Sequence, residues 1–369
     1  MNINANEFSI LSITDAVKLL GNAYVSLIKQ GKSPKIFPSV MLWGAPGVGK
    51  SQGVRQIGDL IMEKTGKRTV VTDVRLMLFN PVDLRGIPTA NADKTLAVWL
   101  RPKIFMMDES EDVVNILFLD EISAAPQSIQ AAAYQITLDR TVGEHRLPDN
   151  CIVIAAGNRV TDRAVAYNMP SALANRLCHI EIESDEKTWH SWAVKAGINK
   201  MVVGFLDARP SYLMDFSPQS GLLAFPTPRS WEMVSRILNE VSDNVSEVLA
   251  LIAGCVGQAA AHELLIWSEI YGSMPAISDI FSGDCDTYPK RPETLYALSS
   301  EIVSYAAKHH KKTEIENAVE YVSYLPHEFR DKIYGDFLQI KGARKALSGI
   351  KLYDNWFSRQ GLYWEDYDI

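Results

Sequence analysis

The feature that most constrains the fold of this chain is an eight-residue segment, GAPGVGKS, at 44–51. It follows the apolar run 40–43 and precedes a helical pattern over 52–64, so it joins a strand to a helix. Glycines let backbone N–H groups approach a phosphate closely, and the N-terminus of the following helix favours the same negative charge. The segment therefore predicts an α/β protein that binds a nucleotide through its phosphates.

Two residues of this phosphate loop have specific expected contacts. Lys50 should reach the β and γ phosphates, and the hydroxyl of Ser51 should coordinate Mg²⁺. The alternative is a glycine-rich turn that binds nothing. However, all four fixed positions of the motif G-x(4)-G-K-[ST] are matched, between a strand pattern and a helix pattern as the motif requires. The residues expected to surround the phosphates are Gly44, Ala45, Pro46, Gly47, Val48, Gly49, Lys50, Ser51 and Gln52.

A second polar site follows the most apolar strand pattern of the chain, which ends at Leu119. In open α/β sheets ligands bind outside the carboxyl ends of the strands, where Asp120 and Glu121 fall. Asp120 is expected to hold Mg²⁺, and Glu121 to act as the general base on an attacking water. The alternative is that both acids only cap the following turn. The pair favours hydrolysis of a nucleotide over simple binding.

The next apolar run, 152–156, is followed by Gly157 and Asn158. Asn158 is expected to bind the γ-phosphate and the lytic water, although an amide that only caps a loop is the alternative. A GTP switch is disfavoured because the one Asn-Lys pair, at 199–200, lacks the aspartate of the guanine-binding motif. A small-molecule kinase would not need Glu121 to activate water.

Alternating strand and helix patterns predict a five-stranded parallel sheet with helices on both faces. Its strands are predicted at 40–43, 69–76, 114–121, 151–156 and 178–182. Beyond about residue 185 the patterns are helical, at 186–207, 230–241, 245–256, 257–271, 293–310, 312–324 and 325–347. We therefore expect an α/β core with an N-terminal helix at 1–184, a helical lid at 185–273 and a helical C-terminal extension at 274–369.

Composition bears on partners and location. The formal net charge is −7, which argues against nucleic acid as the main partner because phosphate contacts need clustered Lys and Arg. The start of the chain lacks a secretory signal, and no run approaches the ~20 apolar residues that span a bilayer. The four cysteines are scattered, as is usual in a reducing compartment, so we expect a cytoplasmic protein without membrane contact.

Five segments, in this order and spacing, resemble the AAA+ ATPases, and among them the MoxR type. They are GAPGVGKS, LFLDEIS, IAAGN, PSALANR and FPTPRSW, and the likeness covers roughly residues 10–240. Segments 83–88 and 99–102 resemble the family's D-L-x-G-x-P segment and the insertion in its second core helix, and 140–147 resembles its hairpin before the sensor strand. The resemblance implies a homo-oligomeric ring, usually hexameric, with ATP and Mg²⁺ bound between subunits.

The resemblance also implies roles for three arginines. Arg176 matches the family's arginine finger, which reaches the γ-phosphate in the neighbouring subunit, and Arg163 is a competing or second finger. Arg229 matches the second sensor of the lid. A local pattern supports it, because Thr227 and Pro228 predict a helix start, where a cation opposes the helix dipole unless an anion compensates. For each arginine, an ordinary surface position is the alternative.

Glu121, Asn158, Arg176 and Arg229 are thus the candidate catalytic residues. The leading hypothesis is a Mg²⁺-dependent ATPase that remodels or matures a protein client, and the family implies a partner with a von Willebrand factor A domain. A nucleic-acid motor on the same core and a nucleotide-binding scaffold with little turnover are the alternatives.

Overall fold

The computed structural model describes residues 9–159, 174–216, 221–271, 274–364 and 367. These residues form two compact units. The first contains the described residues up to Ser184 together with Gly221, and the second contains Asp185–Phe216 and the described residues from Leu222 onward. The division of the helical part into a lid and a C-terminal extension remains a prediction.

The first unit is built on a parallel sheet with flanking helices. The described strands are β1 (Ile10–Ser12), β2 (Val40–Trp43), β3 (Arg68–Arg75), β4 (Ile87–Ala90), β5 (Ala97–Leu100), β6 (Val113–Asp120), β7 (Thr141–Val142), β8 (His145–Arg146), β9 (Cys151–Gly157) and β10 (Cys178–Glu183). Its described helices are α1 (Ile13–Lys29), α2 (Lys50–Thr65), α3 (Pro81–Arg85) and α4 (Gln127–Tyr134). The α/β core predicted from the phosphate loop is therefore confirmed.

The sheet runs in the order β1-β10-β2-β9-β6-β3, with every neighbouring pair parallel. Strands β6 and β9 are buried almost throughout, as expected of central strands covered on both faces. The strand that carries the phosphate loop, β2, lies between β10 and β9. The carboxyl ends of β2, β6 and β9 therefore meet at one edge of the sheet, where the predicted site residues follow them.

The strand count differs from the expected five because the segment Ile10–Ser12 pairs with Glu181–Glu183 of β10 and adds a sixth strand at the sheet edge. Three residues are too few for a periodic pattern, and their strand conformation depends on a partner about 170 positions away. The hydroxyl of Ser12 then accepts a hydrogen bond from the backbone of Asp15 and caps α1.

Two antiparallel hairpins complete the first unit. One pairs β4 with β5, and the other pairs β7 with β8 within the segment 140–147, which resembles the family's hairpin before the sensor strand. The two hairpins contact each other, since His145 Nε2 lies 2.9 Å from the carbonyl oxygen of Trp99 and Arg101 donates to the carbonyl of Arg146.

The second unit is helical throughout its described residues. Its helices are α5 (Glu186–Ala196), α6 (Lys200–Ala208), α7 (Pro228–Glu240), α8 (Val245–Val256), α9 (Gln258–Tyr271), α10 (Ile277–Ser282), α11 (Pro292–Ala306), α12 (Lys312–Ser323), α13 (His327–Gln339), α14 (Lys341–Leu347) and α15 (Lys351–Arg359). Two predicted helices are each divided in two. Gly197, with a φ of 71°, ends α5, and Ile340, in extended conformation, separates α13 from α14.

Two hydrophobic clusters stabilise the second unit. One centres on Trp231 and Phe205, and the other on Phe337 and Tyr353. The partly buried side chains of Met274 and Tyr296 pack against both clusters, so the two are contiguous. None of the helices in the described parts of the chain is both long and apolar enough to cross a membrane.

Candidate functional site

The phosphate loop lies between β2 and α2, as predicted. Gly49 caps α2 with a φ of 97°, a left-handed conformation that strains residues with a side chain. At Gly44 a Cβ atom would lie 2.5 Å from the carbonyl oxygen of Ile182, so only glycine fits between this loop and β10. Lys50 and Ser51 are the first two residues of α2, at the end of the helix that attracts anions.

The side chain of Lys50 is buried, with only 9% exposed. Its ammonium group donates to the carbonyl oxygens of Gly44 at 2.5 Å and Ala45 at 3.1 Å, and to Asn158 Oδ1 at 3.0 Å. These three acceptors are uncharged. An ammonium group in this position can also donate to an anion, and a phosphate is the anion that such loops bind.

The predicted magnesium ligands are adjacent. Ser51 Oγ donates to Asp120 Oδ2 at 2.9 Å, and the other carboxylate oxygen of Asp120 accepts from the backbone N–H of Glu121. A hydroxyl and one carboxylate beside a phosphate loop are the protein ligands typical of Mg²⁺ in nucleotide sites, with the phosphates supplying others. The residues present therefore fit the ion that the motif implies.

Asp73 is a third acid at this site that the sequence analysis missed. The register of β3 and β6 places Asp73 beside Phe118 and Arg75 beside Asp120, so both carboxylates face the same side of the sheet. Asp73 Oδ1 is buried without a hydrogen-bond partner. Burial and the charge of Asp120 raise the pKa of Asp73, against the opposing charges of Arg75 and Arg55.

One signal could have indicated Asp73. Asp73 is an ionisable residue among the valines and threonines of the pattern predicted as strand 69–76, and Asp is seldom buried without a partner. An unpartnered buried carboxylate oxygen on β3, the strand next to the one that ends in Asp120, supports the assignment of this edge as a cation site. We regard Asp73 as an outer neighbour of the ion, since Ser51 and Asp120 are closer to the loop.

Glu121 adopts a backbone conformation that is uncommon for a residue with a side chain. Its φ of 57° and ψ of 33° are left-handed, and it forms the turn between β6 and the following helical turn 122–124. Such conformations cost about 1–3 kcal/mol and occur preferentially at functional sites. The conformation agrees with the role predicted for Glu121 as general base, although the role itself remains a prediction.

Asn158 follows β9 and links two parts of the site. Its backbone N–H donates to Ser123 Oγ at 3.0 Å, while its side-chain oxygen accepts from Lys50. The next residue, Arg159, forms an ion pair with Glu181 of β10. The fold thus brings together four of the predicted residues at the carboxyl edge of the sheet: Lys50, Ser51, Asp120 and Asn158. The ion pair between Arg159 and Glu181 was not indicated by any pattern in the sequence.

The structure places the predicted arginines in different parts of the molecule. Arg176 is exposed and lies in a turn just before β10. Arg229 is exposed in the first turn of α7 in the second unit, where Thr227 caps the helix and Pro228 is its first residue, as predicted. Arg163 lies outside the described residues. The roles of Arg176 and Arg229 remain predictions.

The similarity of this chain to known proteins is confined to solved structures. No protein-family model and no curated protein sequence match the chain. Among solved structures, a RuvB mutant of Thermotoga maritima is 14% identical and has a TM-score of 0.35, with 79% of this chain and 84% of that chain covered. Caenorhabditis elegans PCH-2 is 13% identical, with a TM-score of 0.36, and 69% and 66% are covered.

Domain III of the Thermotoga maritima replication initiation protein DnaA is also similar, at 13% identity and a TM-score of 0.31, with 69% of this chain and 95% of that chain covered. All three TM-scores are below 0.5, so these likenesses carry no weight for activity or partners. The conclusion for the site rests on its own geometry: a phosphate loop, a hydroxyl–carboxylate pair and a sensor-like amide lie together at the carboxyl edge of a parallel sheet.

Proposed function

We propose that this protein is a Mg²⁺-dependent ATPase of the AAA+ type that hydrolyses ATP at the interfaces of a homo-oligomeric ring. The observation that carries the proposal is the convergence of Lys50, Ser51, Asp120 and Asn158, which three separate segments bring to one edge of the sheet. This arrangement has a donor for phosphate oxygens, ligands for a cation and an amide that contacts the phosphate-binding lysine.

Each residue has a distinct task in this proposal. The loop N–H groups and Lys50 bind and orient the phosphates, and Asn158 shares Lys50 with them, so it responds to the γ-phosphate. Ser51 and Asp120 would hold Mg²⁺, which neutralises charge on the phosphate oxygens when bound. Glu121 accepts a proton from the attacking water, and its left-handed backbone conformation occurs in the turn that follows β6.

The ring and the two arginines belong to the proposal. In it, Arg176 enters the site of the neighbouring subunit and Arg229 contacts the nucleotide from the helical region. Support comes from the resemblance of 170–176 and 225–231 to the AAA+ segments, from the exposure of both side chains, and from the helix start at Thr227. We expect a hexamer, and loss of Arg176 should lower turnover by about 10³–10⁵.

The proposed biological role is that of a MoxR-like chaperone in the cytoplasm, which remodels or matures a protein client. The resemblance to the MoxR type supports it, and a protein with a von Willebrand factor A domain is the expected partner. ATPase rates with and without single- and double-stranded DNA test the competing nucleic-acid motor. Stimulation by DNA that is strong and sensitive to salt would contradict the chaperone role.

The central experiment replaces Glu121 by Gln. We expect Glu121→Gln to bind ATP as tightly as the unaltered protein, because no phosphate contact is lost, and to hydrolyse it about 10²–10⁴ times more slowly. A fluorescent ATP analogue measures binding, and a single-turnover assay measures hydrolysis. Glu109→Gln, an exposed acid in the same unit, is the matched control. Hydrolysis by Glu121→Gln at the unaltered rate, or no turnover in the assembled protein without substitution, would overturn the proposal.

A further inference from the structure

Trp43, the last residue of β2, makes a contact outside the phosphate loop that it precedes. Its indole Nε1 donates a hydrogen bond of 2.8 Å to His179 Nδ1 on the neighbouring strand β10. The two rings are nearly parallel, with centroids 6.0 Å apart and an interplanar angle of 14°, as expected of a hydrogen bond between ring edges. His179 is therefore held against the strand that leads directly into the phosphate loop.

The second ring nitrogen of His179 is bonded as well. His179 Nε2 lies 2.7 Å from the carbonyl oxygen of Ala174. An indole N–H only donates and a carbonyl only accepts, so Nδ1 must be the acceptor and Nε2 must carry the hydrogen. These partners select one neutral tautomer of His179, and protonation of Nδ1 would break the bond to Trp43.

The carbonyl of Ala174 belongs to the turn that contains Arg176. It also accepts a hydrogen bond of 3.3 Å from the backbone N–H of Leu177, which closes the turn 174–177. A bond to this carbonyl therefore limits the orientation of the whole turn. The exposed side chain of Arg176 starts from a backbone that is tied to His179 on one side and continues into β10 on the other.

These contacts form one continuous path in a single subunit. It starts at Gly44 of the phosphate loop, passes through Trp43 and His179, and ends at the turn before Arg176. The path is short because β10 and β2 are adjacent parallel strands. His179 is in register with Met41, and Trp43, two residues further along β2, lies on the same face of the sheet. The backbone turn that carries Arg176 is thus connected by hydrogen bonds to the phosphate-loop strand of its own subunit.

We propose that His179 is a positioning residue for Arg176, which fixes the turn 174–177 to the strand of the phosphate loop. This inference rests on the proposed role of Arg176 in the neighbouring active site. An arginine that stabilises charge on a phosphate must be placed closely, and a displacement of about 1 Å can cost roughly 100-fold in rate. His179 consequently affects hydrolysis in the neighbouring subunit and not in its own.

Mixed oligomers test this asymmetry. Glu121→Gln subunits serve as donors, because they keep Arg176 and bind ATP but cannot hydrolyse it. Arg176→Ala subunits serve as acceptors, because they keep Glu121 and lack the arginine. In the mixture, hydrolysis occurs only where a donor offers Arg176 to an acceptor. His179→Phe retains an aromatic ring next to Trp43 but has no hydrogen-bonding nitrogen, and it is introduced into either the donor or the acceptor.

We expect His179→Phe in the donor to lower the ATPase rate of the mixture at least tenfold, and in the acceptor to lower it less than twofold. His179→Gln in the donor should restore a substantial part of the rate, because its amide can donate to the carbonyl of Ala174 in place of Nε2. Nucleotide affinity of each variant and oligomer size by light scattering show that folding and assembly are intact.

Three results would overturn the inference. Equal loss from the two placements would mean that His179 acts through its own phosphate loop or through folding, and no loss from either would mean that it positions nothing. In both cases the trans role of Arg176 would survive, since the parent mixture is active. An inactive parent mixture would instead contradict the trans role of Arg176 itself, and the inference with it.

Discussion

Two clusters of polar side chains, one in each unit, differ in how their charges are satisfied. The sheet-edge cluster consists of Lys50, Ser51, Asp73, Asp120 and Asn158 in the first unit. The helix cluster consists of His190 on α5, Asp207 on α6, and Lys332 and Asp336 on α13 in the second. Both are partly or largely buried, but in the described chain only the first contains a buried carboxylate oxygen, Asp73 Oδ1, without a hydrogen-bond partner.

The helix cluster balances its own charges. His190 bonds Asp207 at 2.8 Å and Asp336 at 3.0 Å through its two ring nitrogens. Lys332 lies 2.8 Å from Asp207 and 3.5 Å from Asp336. Two cations thus face two anions. A cavity of ≈ 340 Å³ borders the cluster, but its charged groups already have partners.

The sheet-edge cluster differs in its acidic part. Asp73 Oδ1 is buried without a hydrogen-bond partner in the described chain, and burial together with the charge of Asp120 raises the pKa of Asp73. A divalent cation near Asp120 would offset the repulsion between the two carboxylates. The comparison teaches that burial of charge alone does not identify a ligand site. The useful criterion is a buried charged group with a polar atom that no group of the described chain satisfies.

The largest expected effect comes from Lys332→Met in the helix cluster. This change leaves two buried carboxylates with His190 as their one shared cation and should lower the free energy of unfolding by about 3–5 kcal/mol. Urea denaturation monitored by circular dichroism measures it. ATP affinity of the folded fraction should stay within about twofold. Lys35→Ala, which removes an exposed ion pair with Asp149, is the control and should cost less than about 1 kcal/mol.

Lys50→Ala should have the opposite profile. We expect the affinity for ATP to fall by more than about 100-fold, or roughly 3 kcal/mol, because the charged donor for the phosphates is lost. Stability without nucleotide should change less than in Lys332→Met, since the oxygens of Gly44, Ala45 and Asn158 that Lys50 contacts are neutral. Nucleotide titration and urea denaturation compare the two. Undiminished ATP affinity in Lys50→Ala would contradict the assignment of the sheet-edge cluster as a nucleotide-binding site.

The pH dependence of the free energy of unfolding should show the titration of His190 in the helix cluster. Burial disfavours the charged imidazole, but Asp207 and Asp336 outweigh it and raise the pKa of His190 to about 9. Because this value is above that of an unfolded histidine, the stabilisation is complete below about pH 6.5 and is lost as the pH rises through about 9. The free energy of unfolding should fall by about 2–3 kcal/mol across this window.

The variant His190→Gln checks the assignment. Its free energy of unfolding should be lower at neutral pH and should no longer decline between pH 6.5 and 9 by the amount that His190 contributes. Urea denaturation at four pH values measures this slope. The same decline in His190→Gln as in the unaltered protein would show that another group titrates.

The smallest expected effect is a gain in stability from Asp73→Asn. Removing a charge beside Asp120 relieves repulsion, and because Asp73 is partly exposed the gain should be less than about 1 kcal/mol without magnesium. Magnesium should stabilise Asp73→Asn less than it stabilises the unaltered protein with bound ADP. Thermal unfolding with and without Mg²⁺ measures both. A loss of stability in Asp73→Asn without Mg²⁺ would mean that the ion pair of Asp73 with Arg55, at 4.0 Å, outweighs the repulsion from Asp120.

Much of the site could be predicted because it depends on local signals. The loop 44–51, the buried strand that ends at Asp120 and the helix start at Thr227 each have a pattern within a few residues. Asn158 was found because the carboxyl ends of parallel strands meet at one edge. These predictions required that the strands belong to one parallel sheet, but they did not require the order of the strands in it.

The features that could not be predicted depend on contacts between distant residues. Strand β1 has three residues and exists because β10 pairs with it. The nearness of Asp73 to Asp120 depends on the register of two strands, and a shift of one residue would turn Asp73 to the other face. His190 and Asp336 are 146 positions apart, and no periodicity relates them.

The amino-acid sequence by itself determined the phosphate loop, the acidic strand end and the α/β class, because glycine geometry, apolar strands and helix starts are encoded in neighbouring residues. Tertiary structure alone decided which charges are left for a ligand and which are cancelled within the chain. It did so because the electrostatic state of a buried group depends on the distance to its partners, and packing, not sequence separation, sets that distance.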